Sequence, residues 1–333
     1  MSPIQVLRPD DVLADRGPSP SQFNLQFLAQ GDSWFSIGAL PPSGTSNLFD
    51  GMASTVAACA INCARPGAEL AHMVDTTREK TFLSFLNGRN ARAWSGLLLS
   101  GGGNDLIDAA QSPPSAPARL RLMATRDEWT SARGPQRYLS NAGWQTFSDH
   151  LQAVFAQLLA QRDRGINRGM PILLHTYDVT APRPAAAGPG SGPWLQPTMV
   201  AFGIPKDDWT PLAATLLARL STLLDHIAAT TPDGSIHVVH SQGTLRPAGN
   251  DDPGATLDWE NEIHPSAHGY RQLGALWAPV IDAVFSDAVT DLHVAAADVA
   301  ALTIANMTAR AASEDDGPAV RTAATGVDGH LAP

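Results

Sequence analysis

Residues 23–34 read FNLQFLAQGDSW, a short apolar run that ends in Gly31-Asp32-Ser33 and a tryptophan. An apolar run of this length, bounded by a glycine, is typical of a buried strand, which we place at residues 25–29. A serine that follows a strand and opens a turn is well placed to act as a nucleophile. Because many loops contain Gly-Asp-Ser by chance, this interpretation depends on segments further along the chain.

Two later segments contain the other groups that a serine nucleophile needs. The sequence GGND at 102–105 follows a second apolar run, and NEIHP at 261–265 lies near the end of the chain. An asparagine amide can stabilise an oxyanion, and a histidine can accept the serine proton at neutral pH. Nucleophile, oxyanion donor and base therefore follow one another in this order along the chain.

In this order and context, the segments resemble those of the GDSL-type serine esterases, also called SGNH hydrolases. The resemblance extends from about residue 24 to about residue 286. It assigns Ser33 as the nucleophile, Asn104 as the asparagine of the third block and His264 as the base. Gly67, in the sequence INCARPGA, looks like the glycine of the second block.

The group that orients His264 is open to two interpretations. The family usually has Asp three residues before the histidine, where this chain has Asn261. An amide can orient the ring but cannot offset the charge of the imidazolium. Asp258 is our first choice, because its loop could fold back toward His264, and Glu260 and Glu262 are the other nearby carboxylates. The alternative is a Ser-His-Asn arrangement through Asn261.

The resemblance also implies an oxyanion hole, made of the backbone N–H groups of Ser33 and Gly67 and the side-chain amide of Asn104. Loss of one such donor can lower the rate by about 10²–10³. A glycine at position 67 further permits unusual backbone dihedral angles. Asp32 and Asp105 are implied to brace the loops of Ser33 and Asn104 through local hydrogen bonds.

Three aromatic residues are candidates for substrate binding. Trp34 and Phe35 directly follow the nucleophile, so we expect both to lie near it. Trp194 lies in residues 180–205, which are rich in Pro, Gly and Ala. A loop this long in a compact domain is often a lid or a binding wall, and we predict one over residues 180–208.

Short apolar runs alternate with longer amphipathic stretches, a pattern typical of a parallel sheet covered by helices. The strands are predicted at 25–29, 56–61, 95–99, 172–175 and 236–239, and the helices at 69–86, 144–162, 212–229 and 267–285. The expected fold is a single three-layer α/β/α domain with a five-stranded parallel sheet, flavodoxin-like in strand order as the resemblance implies. The motifs follow strand ends, where open α/β sheets bind ligands. His175, Tyr177 and Asp178 follow the fourth strand, and we expect them to pack at the strand end, with a role in the substrate wall as the alternative.

The predicted domain covers residues 24–290, with an N-terminal extension at 1–23. Residues 291–333 are predicted to begin as a helix and to end as a disordered tail. The N-terminus has no basic region followed by an apolar core, and no apolar run reaches the roughly 18 residues of a membrane span. We therefore expect a cytoplasmic protein without a membrane span.

Composition restricts the partners. The chain has 333 residues, of which 44% are hydrophobic, enough to bury a full core. A net charge of −10 argues against electrostatic binding of nucleic acid or of an anionic membrane surface. Cys59 and Cys63 are four residues apart, about 13 Å on a strand, too far for a disulfide.

These observations predict a metal-independent serine esterase that acts on small-molecule esters of short or medium acyl chains and needs no cofactor. An acyltransferase would use the same residues to pass the acyl group to an acceptor other than water. A non-catalytic binding protein on a degenerate hydrolase scaffold is the third interpretation. Asn261 favours that third interpretation, and the set of Ser33, Gly67, Asn104 and His264 argues against it.

Overall fold

A parallel sheet of six strands lies at the centre of the residues that the computed structural model describes, 1–36 and 46–286. In chain order, the strands are β1 (Ser2–Pro3), β2 (Gln5–Leu7), β3 (Leu25–Gly31), β4 (Ala53–Ser54), β5 (Ala58–Asn62), β6 (Gly96–Ser100), β7 (Ile172–His175) and β8 (Ile236–Val239). The sheet has the order β2-β5-β3-β6-β7-β8, and all its neighbouring strands are parallel. β1 and β4 form a separate antiparallel pair.

Helices flank this sheet, so the predicted α/β class is confirmed. They are α1 (Pro9–Leu13), α2 (Ser33–Ser36), α3 (Leu70–Met73), α4 (Lys80–Leu86), α5 (Gly103–Gln111), α6 (Asn141–Arg162), α7 (Gln196–Ala201), α8 (Trp209–Thr230), α9 (Ala267–Ala275) and α10 (Trp277–Val284). Short 3₁₀ helices lie at Pro20–Gln22, Leu48–Asp50, Ala118–Leu120, Arg126–Glu128, Pro135–Tyr138 and Lys206–Asp208.

The sheet has one strand more than the five that the sequence predicts. The five predicted strands are all present and follow the flavodoxin-like order 2-1-3-4-5. The sixth is β2, which pairs with β5 at the edge of the sheet. Its three residues are too few to show a period in the sequence, and its central Val6 is exposed. The segment predicted to precede the domain thus contributes to the sheet, and residues 1–285 form one compact unit.

Two of the predicted helices are each divided in two. The helix predicted at 69–86 is interrupted between α3 and α4, where the Asp75 carboxylate accepts hydrogen bonds from the backbone N–H and the hydroxyl of Thr77. Such a local Asx turn competes with the helix. The helix predicted at 267–285 is interrupted between α9 and α10, where Pro279 has no N–H to donate to the carbonyl of Ala275. The predicted C-terminal helix and tail at 291–333 lie outside the described residues.

Helix α8 carries leucines at helical spacing, and these residues are buried in the protein core. They are Leu212, Leu216, Leu217, Leu220, Leu223 and Leu224. Among the described residues, one helix, Lys206–Thr230, is long and apolar enough to cross a membrane, judged by length and composition alone. Burial of the leucines accounts for that apolar composition.

Residues 180–208, predicted as a long loop or lid, contain α7 and the 3₁₀ helix Lys206–Asp208. The carboxyl ends of β3, β6 and β7 open on the same edge of the sheet. At that edge β3 and β6 approach closely, since a Cβ on Gly31 would lie 2.7 Å from the Cβ of Ser100. The glycine before the Asp-Ser pair therefore allows the turn that follows β3 to lie against β6.

Candidate active site

Ser33 and His264, which are 231 residues apart in the chain, form a hydrogen bond at this edge. Ser33 is the first residue of α2, directly after the turn that ends β3. His264 lies in the loop before α9. The Ser33 Oγ is 2.7 Å from the His264 Nε2, and both side chains are buried. The distance permits direct transfer of a proton from the hydroxyl to the imidazole.

Asn261 determines which ring nitrogen of His264 carries the proton. The Asn261 Oδ1 is 3.0 Å from the His264 Nδ1 and also accepts the backbone N–H groups of Ile263 and His264. Because two backbone N–H donors converge on this atom, it is the carbonyl oxygen of the amide and not its nitrogen. The Nδ1 must then donate, which leaves the Nε2 free to accept from Ser33. Burial lowers the pKa of His264 from its ordinary value to about 4, so the ring is neutral at neutral pH.

Asp258, the first choice for the orienting acid, does not reach His264. Its Oδ1 lies 3.0 Å from the Nδ1 of His268 and accepts a hydrogen bond from Gln272, and its Oδ2 accepts the backbone N–H of Arg246. The Asp258 loop is held against α9 by these contacts instead of folding toward His264. The structure thus corrects that first choice and places Asn261 at His264.

Two of the residues expected to form the oxyanion hole, Ser33 and Asn104, line the same pocket. Asn104 lies in the first turn of α5, and its Nδ2 donates one hydrogen bond to the Ala68 carbonyl, directly after Gly67. The other N–H of this amide remains available, and Asn104 shares a pocket with Ser33. Within residues 1–36 and 46–286, no acceptor takes the backbone N–H of Ser33 or Gly67.

Gly67 lies at the exposed end of the second-block loop. Its φ of +73° is in the left-handed region, which a residue with a side chain adopts only at a cost. The Arg65 N–H donates to the carbonyl of Gly31 at 2.9 Å and so holds this loop beside the nucleophile turn.

Asp32 forms a local hydrogen bond of the kind that the resemblance implies, whereas the partner of Asp105 lies 35 residues away in the chain. The Oδ1 of Asp32 accepts the Trp34 N–H and the Ser100 hydroxyl, and its Oδ2 accepts the Tyr177 hydroxyl at 2.5 Å. Burial raises the pKa of Asp32 to about 6, although these hydrogen bonds act in the opposite direction. Asp105 accepts the backbone N–H of Leu70 and ties α5 to α3.

Three residues behind Asp32 extend this network, and sequence reasoning assigned none of them to the site. The Tyr177 N–H donates to the Nδ1 of His175 at 3.2 Å, so the His175 Nε2 must donate to the Ser100 Oγ, 2.9 Å away. Ser100 in turn donates to Asp32. Burial lowers the pKa of His175 to about 3, so this ring is a neutral structural donor. The signal available in the sequence was that Ser100 and His175 end neighbouring strands.

The three aromatic candidates have different environments. Trp34 lines the pocket beside Ser33, stacks on His175 at 5.3 Å between ring centroids and donates its indole N–H to the carbonyl of Ile263. Trp194 is half-buried, with its ring perpendicular to that of His264 at 5.5 Å.

Phe35 is not at the site, contrary to the prediction. It is fully buried and packs against Phe49 and Trp277, with ring centroids 4.9 and 5.6 Å away. One residue of α2 rotates the side chain by about 100°, which turns Phe35 from the pocket into the core.

An apolar pocket of about 50 Å³ opens beside Ser33. Its apolar wall is formed by Leu106 and Ile107 of α5, Ala213, Leu216 and Leu217 of α8, and Trp34, Leu195 and Ile263. The polar groups Ser33, Asn104 and Thr180 also line it. In the part of the chain that is described, no group of three or more His, Cys, Asp or Glu side chains could hold a metal ion. The arrangement is a nucleophile, a base and amide donors beside a space suited to an apolar group.

No protein-family model matches the chain, and no curated protein matches it. Solved structures similar to it include an extracellular lipase from Streptomyces rimosus, with 14% identity, a TM-score of 0.44 and coverage of 78% of this chain and 99% of that chain. An acetylxylan esterase from Geobacillus stearothermophilus has 13% identity, a TM-score of 0.40 and coverage of 76% and 92%. A phospholipase A1 from Streptomyces albidoflavus has 15% identity, a TM-score of 0.40 and coverage of 78% and 98%.

Proposed function

We propose that the protein is a serine esterase of the SGNH type, which hydrolyses carboxylic esters through an acyl-enzyme on Ser33. The observation that carries the proposal is the hydrogen bond of 2.7 Å between the Ser33 Oγ and the His264 Nε2. The opposite nitrogen of that ring is held by Asn261 in the tautomer that makes the Nε2 an acceptor. A serine whose proton has such an acceptor is an activated nucleophile.

The reaction has two halves. In the first, the Ser33 Oγ bonds to the ester carbonyl carbon while its proton passes to the His264 Nε2, and the carbonyl oxygen takes the negative charge. The N–H groups of Ser33 and Gly67 and the Asn104 amide stabilise that oxyanion. The intermediate then releases the alcohol, which takes the proton from His264. In the second half, water attacks the acyl-enzyme in the same way and frees the acid and the Ser33 hydroxyl.

Asn261 supplies orientation without a compensating charge. An asparagine in this position can in principle present its NH₂ group to the histidine and impose the wrong tautomer. Here the backbone N–H groups of Ile263 and His264 hold the amide oxygen toward the ring. The site therefore keeps the reactive tautomer, although the imidazolium that forms during the reaction has no carboxylate partner at Asn261.

The apolar pocket supports an ester of a short or medium acyl chain as the substrate. Its walls carry aliphatic side chains, so an alkyl group would be removed from water there. The net charge of −10 presents no barrier to a neutral ester, whereas it would repel a polyanion. Each step uses groups of the protein, the substrate and water alone.

The first test is the hydrolysis of p-nitrophenyl esters from acetate to palmitate by the wild type and by Ser33→Ala. We expect the variant to lose at least about a thousandfold in kcat/KM, because no other group can form the acyl-enzyme. Ser36→Ala is the matched control, since its hydroxyl lies on the same helix and, among the described residues, bonds only to the Asp32 carbonyl. Undiminished hydrolysis by Ser33→Ala would refute the proposal.

Product analysis distinguishes hydrolysis from acyl transfer, which the same residues would perform. We expect free acid as the main product when alcohols are added as competing acceptors. Formation of a new ester at the expense of the acid would identify an acyltransferase. A folded wild type that acts on no ester would favour a binding protein.

A further inference from the structure

Glu262 lies between Asn261 and His264 in the chain and is fully buried. Its carboxylate accepts four backbone N–H groups, which belong to Arg183, Trp194, Leu195 and Gln196. The distances are 3.1 Å to Arg183, 2.8 Å to Leu195 and 2.7 Å to Gln196. Burial raises the pKa of Glu262, and the four hydrogen bonds lower it. One side chain of the histidine loop thus holds both ends of residues 183–196, which we call the clamped segment.

The clamped segment also forms hydrogen bonds to the backbone of the loop that contains His264. The Arg183 side chain is also fully buried, and its guanidinium donates to the backbone carbonyl of Asn261 at 2.7 Å. The Ala185 carbonyl accepts the Glu262 N–H at 2.9 Å. These contacts therefore fix the backbone of Asn261 and Glu262, which directly precede Ile263 and His264.

Two of the residues held by Glu262 face the candidate active site. The Trp194 ring lies 5.5 Å from the His264 ring, at 84°, and covers it. Leu195 forms part of the wall of the apolar pocket. The Glu262 carboxylate accepts the backbone N–H groups of both Trp194 and Leu195. A shift of the carboxylate would therefore move the pocket wall and the ring beside His264 together.

We propose that Glu262 is a positioning residue. It fixes the clamped segment against the loop that contains His264 and thereby sets the width of the apolar pocket. Its effect on substrate choice rests on the proposed esterase function, whereas the clamp itself does not. A carboxylate suits this position because it is an acceptor at both oxygens, and four converging N–H donors require only acceptors. Glutamine would direct an NH₂ group at two of those donors and leave them without a partner in a buried site.

The test compares Glu262→Gln with Glu260→Gln, which removes the same charge two residues away on the same loop. We expect hydrogen exchange of the clamped segment to become at least about tenfold faster in Glu262→Gln, because a buried charge-assisted bond is lost. Trp194 fluorescence, obtained as the difference from a Trp194→Phe background, should become more accessible to acrylamide. The KM for longer esters should rise more than that for acetate, with a smaller change in kcat.

A second variant covers the case in which Glu262→Gln does not fold. Glu262→Asp keeps the charge and both acceptor oxygens but withdraws them by one methylene, and the same three measurements apply. Exchange and quenching that match those of Glu260→Gln would overturn the proposal. If hydrogen exchange of the clamped segment becomes faster while KM depends on acyl length as in the wild type, the proposed effect of Glu262 on substrate choice would be overturned. Absence of Ser33-dependent esterase activity would refute the proposed function alone, since exchange and quenching still test the clamp.

Discussion

At the scale of single residues, the unusual feature is an amide, Asn261, where the GDSL-type esterases that the sequence resembles usually have a carboxylate. Asn261 reproduces the hydrogen bond to the His264 Nδ1 but not the charge. Its Nδ2 is buried and has no hydrogen-bond partner among the described residues, so part of the amide's bonding capacity is unused. A carboxylate would have a second acceptor oxygen in that place, and its charge would stabilise the imidazolium.

This difference predicts the pH dependence. In the wild type, burial holds the pKa of His264 at about 4, so the base stays neutral until the pH falls to that value. In Asn261→Asp the carboxylate favours the charged ring, so we expect the pKa to rise by about 1–3 units and the acid limb of kcat/KM to move upward with it. The measurements are the pH–rate profile and an NMR titration of the His264 ring, which separates it from Asp32.

Asn141→Asp is the control for the added charge, because this residue is exposed at the start of α6. We expect kcat to rise in Asn261→Asp, since the imidazolium of the transition state then has a compensating charge. An acid limb that does not move would show that Asn261 does not govern the protonation of His264.

At the scale of elements, α5 and α8 form the two apolar walls of the pocket. Ala213 is the smallest of the three α8 residues there, and it therefore leaves space for the substrate. In Ala213→Leu the new side chain would occupy that space. We expect kcat/KM for hexanoate and longer esters to fall at least about tenfold relative to acetate, in line with the value of a few methylene contacts.

The control for this change is Ala218→Leu, which adds the same side chain on the exposed face of α8. It should leave the chain-length profile as in the wild type. If kcat/KM of Ala213→Leu fell equally for acetate and for long esters, the substitution would have damaged the groups around Ser33. That result would contradict the assignment of the pocket.

At the scale of the whole molecule, the N-terminal residues complete the sheet. Leu7 of β2 is 4% exposed, whereas the neighbouring Val6 is 42% exposed. Since Leu7→Ala would leave a cavity beneath the edge strand, we expect it to lower the free energy of unfolding by about 2–5 kcal/mol. Urea denaturation measures this loss.

Val6→Ala is the matched change on the exposed face of the same strand. It should change the free energy of unfolding by no more than about 0.5 kcal/mol. The kcat of folded Leu7→Ala should equal that of the wild type, because β2 is separated from β3 by β5. Equal destabilisation by the two substitutions would mean that the edge strand contributes little to the core.

Local patterns in the sequence were enough for the five central strands and the class of the fold, and they singled out Ser33, Asn104 and His264 as candidates. Buried parallel strands appear as continuous apolar runs, and their motifs lie at the strand ends. The resemblance adds the strand order and the oxyanion donors. The strands and the motifs are properties of neighbouring residues in the chain, so the sequence alone displays them, whereas the strand order comes only from the resemblance.

The tertiary structure decided what depends on contacts between distant segments. It directed the Asp258 carboxylate to His268 instead of His264, turned Phe35 into the core and brought β2 to the sheet edge. It also assembled the contact between Glu262 and the clamped segment across 66 to 79 residues of chain. Which donor a carboxylate meets, and which face of a short helix is buried, follow from packing, because neither has a period that a sequence can display.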